Sequence, residues 1–512
     1  MHSDRNIVID FVRPDLRHAE AKRRAPLASY SLALLMGQTP DEILGAKVVK
    51  RVHDEQAKGP YNVSDARPNI LCLSYLTTGA YRAYDISAEA MRTRSHDGDA
   101  IRVLHGGVHA TNLPKEAIQH CHTIVRGEMS PEFQRHVFEQ VLTDPEPQKR
   151  VLRMAELPQT LSRPVADWSW MNRKDYLLAP SVQTSVGCPF HCDFCSVTEV
   201  FGSKMRVVEE SCLARELDQH PRGSTVAIVD DNFLQGTQKK HIERCLMVIG
   251  MMRERGLKWV AELTVKTLSD VWKKLRQSEP KIDIIQTFAK SGCQGLYFGI
   301  ESVNEDKKSL SKQCSNQETV ELIKACHENG LGVLGAFVIG VSPDETSDDF
   351  KRILDFAILE AKIDFAQFSI NTPMPGAANF LSAFRDRRII NFDWELYDAE
   401  HCVMAHPLMS KETMEQGLQW LYKEFYSYKS ALKRYNLMSL LSFNPLLWRR
   451  FMLGLSAGPY LHRTAIKWIE RLKKGERRQV VETPDHAVVE HVNESLSIDP
   501  LNPMPLFSVG SV

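Results

Sequence analysis

Three cysteines inside eight residues, Cys188, Cys192 and Cys195 in Cys-Pro-Phe-His-Cys-Asp-Phe-Cys, constrain this chain more than any other feature of its sequence. Soft thiolates on one short loop can ligate three irons of a 4Fe-4S cluster, because the residues between them let the backbone wrap the cube. No fourth cysteine stands nearby, so the fourth iron is left open, whereas a cluster that only carries electrons is ordinarily held by four cysteines. Zinc would ask for a fourth Cys or His at suitable spacing, and His191, lying between two of the thiols, is poorly placed to supply it. A disulfide is disfavoured, since the 11 cysteines are odd in number and scattered, and Met1-His2-Ser3-Asp4 opens no signal peptide. Together these features point to a reducing, cytoplasmic setting.

With 512 residues the chain has material for two or three domains, each able to bury a core. Its 64 basic residues balance 64 acidic ones, which removes any global attraction to nucleic acid or anionic lipid. No uninterrupted apolar run approaches the roughly 20 residues of a membrane-spanning helix.

In chain order, residues 6–12 read as a strand, 27–36 as an apolar helix, and 43–52 as either a strand or a helix end. Strands are expected at 69–76, 101–104 and 123–126, with a helix at 83–94. Such alternation implies a parallel, doubly wound sheet, which binds ligands beyond the carboxyl ends of its strands. Two of those ends carry distinctive residues: His105-Gly106-Gly107-Val108-His109 and Arg126-Gly127-Glu128. Paired glycines let the backbone approach a bulky ligand, although a tight turn explains them equally well. His105 and His109 are equally consistent with packed or solvent-exposed side chains.

Residues 150–178 have little periodicity and several prolines, and read as a linker. The strand at 178–185 then delivers the cysteine loop. Further strand-then-helix units follow: 225–230, ending in Asp230-Asp231-Asn232; 259–263, containing Glu262; 295–300, ending in Glu301-Ser302; 332–339, ending in Gly340; and 365–370, ending in Asn371-Thr372-Pro373. Polar residues at the carboxyl ends of six strands suit a partial TIM-type barrel, whose chemistry gathers at that face.

The loop, with Phe194 before its third cysteine, resembles the signature of the radical S-adenosylmethionine (SAM) enzymes. Together with the Gly-Gly-x-His and Gly-Glu turns it resembles the cobalamin-binding subgroup, class B methyltransferases among them. The resemblance covers roughly residues 5–430. It implies an α/β chain with an N-terminal doubly wound, Rossmann-like cobalamin-binding domain (1–148) and a linker (149–177). A partial (β/α)6 radical SAM barrel (178–388), a helical C-terminal extension (389–475) and a loose tail (476–512) complete it. It implies Cys188, Cys192 and Cys195 as cluster ligands. Asp230, Asp231, Asn232, Glu262, Glu301, Ser302 and Gly340 are implied around SAM, and Gly106, Gly107, His109, Gly127 and Glu128 around cobalamin. No Asp-x-His-x-x-Gly motif offers a lower histidine ligand to cobalt, and Ala377 replaces the usual Thr of the strand-six turn.

In such enzymes the open iron passes an electron into SAM, and the resulting 5′-deoxyadenosyl radical abstracts hydrogen from an unactivated carbon. Methylcobalamin then supplies a methyl group, and an external donor such as flavodoxin or ferredoxin supplies electrons. A cobalamin domain kept only as scaffold, a ring closure or rearrangement in tetrapyrrole or lipid metabolism, and a non-catalytic cobalamin or redox sensor stay open. An apolar small-molecule substrate is expected rather than nucleic acid, with the aromatic, Met and Leu side chains of the extension lining its pocket. The basic, aromatic stretch 428–474 is either a bundle with a solvated face or a surface lying on a membrane.

Overall fold

The computed structural model describes residues 6–16, 27–176, 180–304 and 314–435. The tail at 476–512 and nearly all of the basic stretch 428–474 therefore lie outside the described residues.

The first sheet contains β1 (Ile7–Arg13), β2 (Glu42–Ile43), β3 (Ala46–Asp54), β4 (Ile70–Ser74), β5 (Arg102–Gly106), β6 (Thr123–Arg126) and β7 (Arg150–Arg153). Their order is β2-β3-β1-β4-β5-β6-β7, parallel except for the β2–β3 hairpin. β1 and β4 are nearly continuous apolar runs because helices cover both faces of the sheet. Helices Tyr30–Gln38 and Pro131–Thr143 bury Leu32, Met36, Phe133 and Val137 on one face, and helix Ala80–Arg92 buries Ala83, Ile86 and Ala90 on the other. The chain reverses its direction of winding between β1 and β4, and a crevice opens there beyond their carboxyl ends. The open reading at 43–52 resolves as strand over most of its length, at 46–54, and one expectation changes: the stretch read as linker begins with a strand, β7, on the sheet edge.

The second sheet is parallel throughout, in the order β16-β15-β14-β13-β12-β9. It comprises β9 (Ser181–Val182), β12 (Thr225–Ile228), β13 (Lys258–Thr264), β14 (Cys293–Glu301), β15 (Gly332–Ile339) and β16 (Phe365–Ile370). Each strand neighbours the one before it, as repeated βα units require. Trp259, Phe298, Phe337 and Phe368 are buried in the barrel's main core cluster. β8 (Thr160–Leu161), β10 (Ser185–Val186) and β11 (Arg206–Val208) form a small third sheet that brackets the cysteine loop.

The C-terminal extension departs from expectation. Residues 389–410 contain one 3-10 turn, Trp394–Leu396, and otherwise form a strap across the first domain. Phe392, Trp394 and Tyr397, with Phe380 of the barrel's last helix, join that domain's core cluster, while Met404 of the strap lines a cavity beside the cysteine loop. Helix Lys411–Phe425 packs Met414, Leu418, Leu421 and Phe425 into the barrel core, and Tyr422 and Tyr426 donate to the carbonyls of Phe368 and Ala366 at 3.0 and 2.8 Å.

The strap is pinned by Trp394 Nε1, which donates to Glu116 Oε1 at 2.9 Å inside the first domain. Trp394→Phe keeps an aromatic side chain but removes the five-membered ring and the donor it carries to a buried carboxylate. The lost hydrogen bond alone should destabilise the protein by about 1–3 kcal/mol, read as a lower Tm by calorimetry, and an unchanged Tm would show that neither this bond nor the lost ring holds the strap.

Candidate functional site

The cysteine loop is aimed by the backbone on either side of it. Gly187, just before Cys188, has φ +94°, and a Cβ there would stand 2.8 Å from the Lys204 carbonyl, so only glycine fits. Its N–H donates to the Asp231 carboxylate at 2.8 Å, while Asn379 N–H donates to the Asp193 carbonyl at 2.8 Å from the barrel's last helix. Within the loop, Cys195 N–H donates to the Cys192 carbonyl at 3.0 Å. Cys192 is buried, Cys188 and Cys195 are half-buried, and none forms a disulfide. Among the described residues no three His, Cys, Asp or Glu side chains stand together as a metal-ligating group. Three reduced thiols on one wrapped loop remain the donor set a 4Fe-4S cluster with an open iron asks for.

The acidic residues after β12 divide their work. Asp230 is buried and accepts from Thr184 N–H at 2.6 Å, Thr184 Oγ1 at 2.5 Å and Ser185 Oγ at 2.7 Å, with Arg244 3.5 Å away. It is a strut fixing the backbone that leads into the loop. Asp231 lines the cavity described below, and burial first, then Asp230 and Glu128, push its carboxyl up to about 6 against the Gly187 N–H. Asn232 is buried with neither side-chain polar atom bonded. Glu262 is exposed on β13, paired in register with Tyr297. Glu301 is buried at a register shift in β14 with φ +66°, a conformation a non-glycine residue adopts only under constraint. Ser302 Oγ accepts from Asn304 N–H at 3.2 Å, and the Gly340 carbonyl accepts from Asn371 Nδ2 at 3.1 Å. A cavity of about 840 Å³ brings Gly340 and Asn371 together with Asp193 and Phe194 of the loop.

A second cavity, about 730 Å³, lies between the two halves. From the first sheet it takes Leu73–Leu76, His105–Val108 and Gly127–Ser130; from the barrel side it takes Gln183, Val186, Val200, Phe201 and Asp231. The two glycines differ. A Cβ on Gly106 would meet only the Val125 carbonyl, at 3.6 Å, so that backbone is open to a ligand. Gly107 has φ +88°, and its Cβ would stand 2.5 Å from the Tyr75 carbonyl, so it serves the turn. Glu128 clamps the halves together through a bidentate pair with the buried Arg206, one arm at 3.0 Å.

His109 does not line this cavity. It is fully buried, with Nε2 3.0 Å from the Tyr84 hydroxyl, which in turn donates to Glu116 at 2.9 Å. His105 does line it, but both ring nitrogens are engaged. Ser87 Oγ donates to the Ala83 carbonyl at 2.7 Å, so His105 Nε2 must donate to Ser87, and Nδ1 accepts from Tyr75 at 2.9 Å. Burial holds the ring neutral by lowering its pKa.

Sequence reading missed Arg163, Tyr30, Glu216 and Asp398, which lie on unrelated segments. Arg163 and Asp398 line the cavity, and Glu216 meets it through Tyr30. Burial pushes Glu216 up to about 7, against Arg163 and the Tyr30 hydrogen bond. The folded state therefore holds this proton more tightly than the unfolded chain, whose glutamates titrate near about pH 4.3. Relative to Glu216→Gln, the wild type should lose stability as pH rises from that value to about 7, and no further above it. Thermal melts of both proteins across this range measure it, and parallel curves would refute it.

Residues 182–357 match the Radical SAM superfamily. Bacteriochlorophyllide d C-12(1)-methyltransferase of Chlorobaculum tepidum is 26% identical over 372 residues, covering 69% of this chain and 77% of the relative. The radical SAM methyltransferase TsrM of Kitasatospora setae, solved with cobalamin and a 4Fe-4S cluster bound, superposes with a TM-score of 0.60 at 14% identity, over 90% of this chain and all of that one. The cobalamin-dependent SAM radical enzyme OxsB, solved with aqua-cobalamin and SAM, gives 0.58 at 13% identity over 96% and 79%. These structures share the fold, a doubly wound sheet followed by the parallel six-stranded sheet. The stretch that matches the Radical SAM superfamily, residues 182–357, is thus the one that carries the cysteine loop at the carboxyl edge of that second sheet.

Proposed function

We propose that this protein is a cobalamin-dependent radical SAM methyltransferase that methylates an unactivated carbon of an apolar small molecule. One observation carries the reading: the 730 Å³ cavity has one wall from the carboxyl ends of the first sheet and the other from the residues flanking the cysteine loop. A corrinoid seated against the first wall would face SAM chemistry at the second. Cys188, Cys192 and Cys195 would hold a 4Fe-4S cluster, and SAM would lie along the ends of β12 to β15, near Asp231, Glu262, Glu301, Ser302 and Gly340. Bound together, these groups supply a carbon-centred radical and a transferable methyl group.

The chain's own residues bind, orient and exclude water. Gly106 and the Gly127 turn give the corrinoid face a backbone surface. Both ring nitrogens of His105 are bonded and His109 does not line the cavity, which favours a corrinoid with its base displaced. Apolar side chains of the cavity lining, Phe11, Leu34, Leu35, Val125 and Phe138 among them, suit that displaced base. The bacteriochlorophyllide substrate named for the relative supports the class of the methyl acceptor. Reduction would come from an external one-electron donor of the flavodoxin or ferredoxin type. No described helix is long and apolar enough to cross a membrane.

Anaerobic incubation of reconstituted protein with reductant and SAM should release 5′-deoxyadenosine, and changing any one of the three cysteines to Ala should abolish it. Full iron content and cleavage in the triple variant would refute the ligand assignment. Hydroxocobalamin supplied anaerobically should be retained stoichiometrically, with a spectrum lacking nitrogen coordination from below. Cleavage without any corrinoid retention would leave a radical SAM enzyme of another reaction type, such as a cyclase.

A further inference from the structure

The reading above leaves one buried charge unused. Arg163 is 8% exposed and lines the 730 Å³ cavity. Its Nη1 donates to Gln183 Oε1 at 3.0 Å, and its Nη2 to the Tyr30 hydroxyl at 2.8 Å and the Gln183 carbonyl at 3.0 Å. All three acceptors are uncharged, and among the described residues Nε has no partner. Glu216, the carboxyl of this network, is reached only through Tyr30, whose hydroxyl donates to its Oε2 at 3.1 Å. A guanidinium withdrawn from water without a carboxylate in contact is costly, and the cost falls when an anion joins it.

The position of Arg163 says which anion. Tyr30 is the first residue of helix Tyr30–Gln38, and Ser31, Leu34, Leu35 and Gln38 carry the cavity wall one and two turns further along it. Arg163, bonded to Tyr30, therefore shares one cavity with the apolar side chains of this wall and with the glycine turns of the first sheet. A ligand that lays an apolar base against the former and a macrocycle against the latter brings its connecting group into the same cavity. In a base-displaced corrinoid the connecting group is a phosphodiester. Arginine suits it, since its planar donors match phosphate oxygens.

We infer that Arg163 is the recognition residue for the phosphodiester of the corrinoid's nucleotide tail, an inference that rests on the corrinoid reading above. The test is a set of dissociation constants for hydroxocobalamin, cobinamide phosphate and cobinamide, the last lacking both phosphate and base. Arg163→Gln should weaken the two phosphate-bearing corrinoids roughly 10- to 100-fold, the scale of one charge-assisted bond, and leave cobinamide unchanged. Arg163→Lys, which keeps the charge, should recover part of the loss. Unchanged cobinamide affinity also shows that the variants are folded. Equal weakening of all three ligands would make Arg163 structural, and no weakening of any would assign it to another anion; either overturns the inference. A wild type that holds none of the three overturns the corrinoid reading itself.

Discussion

The two cavities and the loop between them depend on an ion pair that crosses the molecule, Arg206 with Glu128. Arg206 comes from the strand that follows the cysteine loop, and Glu128 from the turn after β6. A buried arginine is tolerable only where its partner is geometrically fixed, and a bidentate carboxylate meets that condition. The pair therefore ties the carboxyl end of β6 to the small sheet that brackets the cysteine loop. A lighter contact keeps the same register: Asn112 Nδ2 donates to the Pro375 carbonyl at 3.0 Å. The first domain is thus tied to the entry and to the exit of the barrel.

Much of this architecture is legible in the sequence where one physical rule dominates. Gly332–Ile339 is a nearly continuous apolar run and Phe365–Ile370 alternates, burying Ala366, Phe368 and Ile370; both are bounded by turn residues that make their ends readable. β7 is not readable: Arg150-Val-Leu-Arg153 is a sheet-edge strand in which Leu152 alone is buried, too little to create a pattern. β9 and β10 have two residues each, shorter than any period. Their place is set by Asp230, a contact across 46 and 45 residues of sequence that no local pattern reports.

Side-chain roles are harder to read, because a motif gives a residue's neighbours along the chain but not the face it turns to. Gly106 and Gly107 are adjacent and equivalent on paper, yet one opens to the cavity and the other closes on Tyr75. His109 is drawn inward by Tyr84 and Glu116, so its place in a ligand-side motif misleads. Aromatic residues of the extension were expected around a substrate. Among the described ones Phe392, Trp394 and Tyr397 are core instead, since they find an uncovered helix face on the first domain. Arg163 escaped notice because prolines mask its segment as a connector, and its meaning comes from Tyr30, 133 residues earlier.

The strap also bears on how the chain is made. The bond between Glu116 and Trp394 spans 278 residues, and three neighbours of Trp394 in sequence or space, Phe380, Phe392 and Tyr397, fill the same cluster. During synthesis the first domain emerges with its sheet complete but one apolar helix face bare, and the whole barrel must be translated before the covering residues leave the ribosome. Long-range contacts of this kind close late and leave apolar surface exposed meanwhile. The N-terminal domain, although it is first in the chain, is among the last parts to be finished, and its nascent form is a natural client for chaperones.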